Sequence, residues 1–164
     1  MPSPNPEPEA ITVRPATPDD AGPLVELLRA GALGPSDEDP GHLDPYRSAL
    51  ADIAATPGAE VLVAERDGDV VATCQLLVFR HLQHRGGRCA EVESMHVRPD
   101  LRGTGVGGML LEAAVELARA AGCYRVQLTS NAARSDAHRF YARHGFIPSH
   151  VGFKRVLDPP SDRV

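Results

Sequence analysis

An α/β (α+β) fold is predicted: a single mixed, mostly antiparallel twisted sheet of six to seven strands with helices on both faces. Three observations predict it. Two β-rich runs, 60–66 and 70–80, meet at Asp67-Gly68-Asp69, and an Asp-Gly pair between such runs is a strong hairpin signal. Val106, Met109, Leu110, Ala113, Leu117 and Ala121 recur at helical spacing directly after a glycine cluster. Strand-like and helix-like segments follow one another in the order β α α β β β α β α β, which makes one layered sheet rather than separate all-α or all-β parts. Leu, Ile, Val and Phe supply 38 of the 164 residues, enough to build one core, and no repeat or second domain is visible.

Each element has a local cause. Residues 11–14 alternate as a first strand. Pro18-Asp19-Asp20 then opens a helix carrying Leu24, Leu27 and Leu28, with Pro23 in its first turn. The stretch 31–45 is rich in Gly, Pro and acid and reads as a loop; 46–55 reads as a second helix, closed by Pro57-Gly58. After the hairpin, Arg85-Gly86-Gly87 turns the chain into a strand at 89–97. The long helix ends at Gly122, and 124–129 alternates as a strand. Ser135 is placed to cap a helix over 136–144, Gly145 suits its left-handed end, and a final strand or strand pair is expected over 146–157. Alternating prolines at 2, 4, 6 and 8 predict a disordered tail over 1–9. Pro159 and Pro160 predict another over 159–164, leaving a domain at 10–158.

Composition excludes several functions. The net charge is −5 and no Lys/Arg-rich block occurs, so nucleic acid is not an expected partner. No apolar run reaches 18 residues and the N-terminus has neither a basic nor an apolar targeting region, so no membrane association is expected and the cytoplasm is the expected compartment. Cys74, Cys89 and Cys123 are odd in number and widely spaced, which reads as core packing rather than a disulfide framework. His81 and His84 lack a third nearby ligand, so no metal site is expected.

The most informative stretch is 97–111, VRPDLRGTGVGGMLL, where a strand ends and a glycine-rich turn opens a helix. Convergent backbone amides and the helix dipole attract an anion there, and missing side chains let a phosphate approach; Arg98 and Arg102 can add guanidinium contacts. Gly103, Gly105 and Gly108 satisfy GxGxxG, but a dinucleotide fold needs an acidic residue after the next strand, where Thr129 and Ser130 stand. A Walker loop needs a Lys where Met109 stands.

Arg102-Gly103-Thr104-Gly105-Val106-Gly107 fits the (Gln/Arg)xxGx(Gly/Ala) signature, and the stretch 134–146 carries Tyr141 followed by Gly145-Phe146. With this order of elements over residues 11 to 157, the chain resembles the GCN5-related N-acetyltransferase (GNAT) family. The resemblance implies acetyl-CoA as co-substrate and acetyl transfer to a primary amine of a small molecule or peptide, by direct transfer in a ternary complex. It implies cofactor-binding positions at Met95, His96, Val97, Arg102, Gly103, Thr104, Gly105, Val106, Gly107, Gly108 and Arg134. Backbone of Met95 and Val97 would meet the pantetheine arm, in a strand that splays at a bulge and polarises the thioester carbonyl. Many members carry an Asn where this chain has Arg134. Dimerisation is common in the family, which makes a homodimer a candidate assembly.

The amine must lose a proton before it attacks. A Lys-like amine lies about 3.4 pKa units above neutrality, a cost on the order of 4.6 kcal/mol that a nearby carboxylate can relieve. Glu91 and Glu93 lie on the strand leading to Met95; period-two alternation predicts that they share one face with Met95 and Val97. Glu93 is the first candidate for general base and Glu91 the second, with an ion pair to Arg88 or another Arg the structural alternative. Tyr141 resembles the family residue that protonates the departing thiolate. The alternative function is a non-catalytic acyl-CoA-binding or sensing domain. The resemblance also implies that the loop between the first two helices, with Asp37, Glu38, Asp39 and His42, lines the acceptor side; a solvated loop is the alternative reading.

Overall fold

The computed structural model describes residues 10–157, so the tails expected at 1–9 and 159–164 lie outside the described residues. The chain forms two compact units, the first ending at Leu128 and the second beginning at Thr129. The first unit holds a five-stranded sheet in the order β1-β2-β3-β4-β5. Strands β1 (Thr12–Pro15), β2 (Ala59–Arg66), β3 (Asp69–Arg80) and β4 (Arg88–Val97) pair antiparallel in sequence order, and β5 (Cys123–Leu128) lies parallel to β4. Helices α1 (Ala21–Ala30) and α2 (Asp44–Ala55) precede β2, and α3 (Val106–Ala120) makes the crossover from β4 to β5.

Local chemistry accounts for most of these boundaries. Asp67 and Gly68 both adopt positive φ, 56° and 83°, the geometry of the two-residue hairpin that an Asp-Gly pair favours. The 3-10 turn Pro18–Asp20 leads into α1, and Asp20 at its entry accepts hydrogen bonds from the Thr17 amide at 2.7 Å and from Arg14 at 2.8 and 2.9 Å. Between β3 and β4, His84 and Arg85 turn left-handed, and His84 stacks on Tyr124 with ring centroids 4.0 Å apart.

The sheet's two faces differ in character. Leu62, Ala72, Cys74, Leu76, Ala90 and Val92 alternate onto one side and are buried, as are Leu110, Leu111, Ala114 and Ala118 of α3, which packs on the central strands. Full burial of each such Leu contributes about 1.5–3 kcal/mol. On the other side Val63 joins Leu24 and Leu50 in a core under α1 and α2. That second layer covers β2 and β3 and thins out over β4.

In the second unit, α4 (Ser135–Arg143) starts one residue earlier than expected, with Ser135 as its first helical residue and Arg134 at the cap. The strand or strand pair expected over 146–157 does not form: the segment is irregular, with Ile147, Val151, Phe153, Val156 and Leu157 exposed. Its alternation suits a strand, but a strand exists only where a neighbour completes the ladder, and Pro148 and Gly152 weaken it further.

Candidate active site

Strand β4 departs from regular alternation at one point. Gln75 pairs with Glu93 and Thr73 with His96, so Ser94 and Met95 together oppose the single residue Cys74. Ser94 takes φ 49°, a left-handed conformation that lets the extra residue fit. The bulge corrects the expectation that Glu91, Glu93, Met95 and Val97 share one face. Leu77 pairs with Glu91, Gln75 with Glu93 and Thr73 with His96, placing these three β4 side chains on the α1/α2 side of the sheet. Val97 pairs with Ala72 and falls on the α3 side.

The side of β4 bearing the two glutamates is polar and only half-buried, in contrast to the sealed α3 side. Gln127 of β5 donates to Glu91 Oε2 at 3.2 Å, which fixes that carboxylate against the strand. Arg88 donates to the Ala121 carbonyl at 3.0 Å. His96 is received by Gly31 at the C-terminal end of α1: a Cβ at position 31 would overlap the imidazole. Gly31 has φ −92°, open to any residue, so the glycine is required by space rather than by backbone conformation.

The parallel ladder with β5 runs from Arg88↔Cys123 to Val92↔Leu128, where β5 ends, so the backbone of Glu93 to Val97 has no ladder with β5. Strand backbone beyond the end of a ladder and next to a bulge can offer donors and acceptors to a ligand.

The turn after β4 supplies the other half of the site. Gly103 and Gly105 have φ 78° and 96°, and Gly105 occupies the N-cap of α3 without a capping side chain. The amides of Gly105, Val106, Gly107 and Gly108 therefore have no intrahelical acceptor and converge at the positive end of a 15-residue helix. Thr104 does not compete for them, because its hydroxyl donates to the Leu101 carbonyl at 2.7 Å. Arg102 Nε donates to the Val97 carbonyl at 3.2 Å, tying the turn to the strand end; Arg98 is engaged by Asp100 at 2.8 Å. Such a cradle fits the pyrophosphate of a coenzyme.

Arg134 and Tyr141 belong to the second unit, both half-buried, with Tyr141 packed edge-on against Phe140 and Phe146 at centroid distances of 5.2 and 5.9 Å. A cavity of about 500 Å³ lies elsewhere, between Thr56, Gly58, Leu76 and the far end of α3 at Leu117 and Ala121.

Residues 26–146 match the acetyltransferase (GNAT) family. The chain belongs to that family. As a GNAT protein it is 37% identical over 112 residues to the aminoalkylphosphonate N-acetyltransferase of Salmonella typhimurium, covering 68% of this chain and 72% of that one. It is 34% identical over 155 residues to an aminoglycoside N(6')-acetyltransferase of Stenotrophomonas maltophilia, covering 92% and 96%. A Bacillus halodurans structure described as a transcriptional regulator superposes with a TM-score of 0.85 at 31% identity, over 90% of this chain and all of the other. The GNAT chain is an N-acetyltransferase that takes its acetyl group from acetyl-CoA and gives it to an amine. The glycine turn, the glutamates and, through the family resemblance, a bulge in this strand were legible in its sequence, but that the extra residue falls at Ser94 and turns His96 to the glutamates' face had no signal beyond an ordinary serine.

Proposed function

We propose that the acceptor is a small primary amine, acetylated by direct attack on acetyl-CoA in a ternary complex within one domain of residues 10–158. The observation that carries this is the half-buried strip of Glu91 and Glu93, set where the β4–β5 ladder ends and on the α1/α2 side of the sheet. In the proposed reaction Glu93 takes the ammonium proton and the freed amine attacks the thioester carbon. Backbone of Met95 and Val97 stabilises the resulting oxyanion, and Tyr141 supplies the proton to the departing thiolate. Glu91, held by Gln127, supports the negative potential that attracts a cationic acceptor. The turn from Arg102 to Gly108 binds the pyrophosphate, and Arg134 takes the place of the Asn that many members use.

The acceptors for which the two relatives above are named support the small-molecule reading. We further propose that the protein works in the cytoplasm, as a homodimer, with no nucleic acid or membrane partner. Among the described residues no helix is long and apolar enough to cross a membrane.

Coenzyme A thiol release, measured across a panel of amino-phosphonates, aminoglycosides and amino-sugar phosphates, tests the reading. Glu93→Gln and Tyr141→Phe should each lower kcat by about 100-fold while leaving acetyl-CoA affinity within twofold. Unchanged turnover in both variants would remove these assignments. Acetyl-CoA binding without turnover on any amine would instead favour the binding-only alternative.

A further inference from the structure

The bulge has a chemical consequence that regular alternation hides. A regular β4 would send the residue three positions after Glu93 to the opposite face; the extra residue at Ser94 sends His96 to the same face. Their β3 partners, Gln75 and Thr73, are two apart on one strand, so Glu93 and His96 are successive side chains along that face. His96 is half-buried, with its ring over the α1 C-terminus, where the helix dipole favours a cation. Imidazole is the side chain whose ordinary titration lies closest to neutrality, so it can receive a proton from a carboxylic acid and lose it to water.

We propose that His96 is a proton-relay residue acting through Glu93, which rests on the reading of Glu93 as base. The substrate N–H bond breaks, its electron pair stays on nitrogen, and the proton goes to the Glu93 carboxylate and then to a His96 ring nitrogen. The amine pair forms the C–N bond to the thioester carbon, the C–S bond breaks, and the thiolate leaves with the proton from Tyr141; the adduct nitrogen then loses its second proton, which restores the Tyr141 hydroxyl and leaves a neutral amide. His96 returns its proton to solvent, so one proton is released per acetyl transferred. The charged groups on the surrounding elements are Glu91 and Glu93 on β4 and the Glu26–Arg29 pair on α1; β3 contributes uncharged Thr73 and Gln75.

His96→Gln keeps hydrogen bonding but cannot ionise in this range. At pH 7 it should lower kcat 10- to 100-fold with acetyl-CoA affinity unchanged. The deficit should shrink below threefold for an acceptor whose amine is already neutral at that pH, and the acid limb of the wild-type pH profile should shift. The Glu93→Gln/His96→Gln double variant should be no slower than Glu93→Gln alone, because the two act as a unit. Gly31→Ala, which displaces the ring without removing it, should give the same selective loss. A deficit equal for basic and neutral amines, or multiplicative losses in the double variant, overturns the relay. Full activity of His96→Gln beside a slow Glu93→Gln overturns the relay alone, whereas full activity of Glu93→Gln overturns the reading beneath it.

Discussion

Asp20 ties three pieces of backbone together with one carboxylate. It is buried, and the hydrogen-bonded Arg14 guanidinium holds its carboxyl below the usual carboxylate range, against the cost of desolvation. A depressed folded-state pKa stabilises the fold fully above the unfolded value and loses that contribution as pH falls through the folded one. Asp20→Asn should cost about 2 kcal/mol at pH 7 in denaturant titration, and the two stability curves should approach each other as pH drops below the ordinary carboxylate pKa. Cys74 behaves oppositely. Burial pushes its thiol up to about 12, so alkylation of the folded protein at pH 8 should spare it until the chain is unfolded. At Gly105 the φ of 96° is what the residue type supplies. Gly105→Ala should raise the acetyl-CoA KM at least tenfold while leaving a folded protein, by circular dichroism and kinetics. This turn was legible in the sequence because glycine itself encodes the conformation. The facing of His96 was not, because it depends on the backbone of a residue two positions away.

At the level of the element, the bulge in β4 is held by its neighbours rather than by its own residue. Ser94 at φ 49° is strained relative to glycine, and the strand tolerates it because Cys74 and the flanking pairs Gln75↔Glu93 and Thr73↔His96 fix the register on either side. Ser94→Gly should therefore stabilise by about 0.5–1 kcal/mol, and Ser94→Val should destabilise by about 1–2 kcal/mol, by thermal melting. A loss of stability in Ser94→Gly would mean that the serine hydroxyl, not the backbone, carries the position. The β2–β3 hairpin shows the contrary situation. Its turn residues, Asp67 and Gly68, specify their own geometry, and the sequence located it to within a residue. The segment 146–157 has the alternation of a strand without the structure of one, since pairing is a property of two segments.

For the molecule as a whole, ligand binding and stability are linked. Acetyl-CoA at 100 times its Kd should add about 2.7 kcal/mol, raising the melting temperature by about 5–10 °C, and no shift at saturating acetyl-CoA would contradict the pyrophosphate cradle. The sequence by itself determined the mixed sheet, the order of its first five strands, the anion-binding turn and the family, because each is written in short-range features. Gly at positive φ, Asp-Gly at a hairpin and a 3.6-residue apolar period act within a few residues of where they stand. Only the tertiary structure decided which β4 side chains share a face, where the β4–β5 ladder ends, why Gly31 must lack a side chain, and that 146–157 forms no strand. Those outcomes depend on register and close approach between segments far apart in the chain, and a one-residue bulge inverts every facing that follows it.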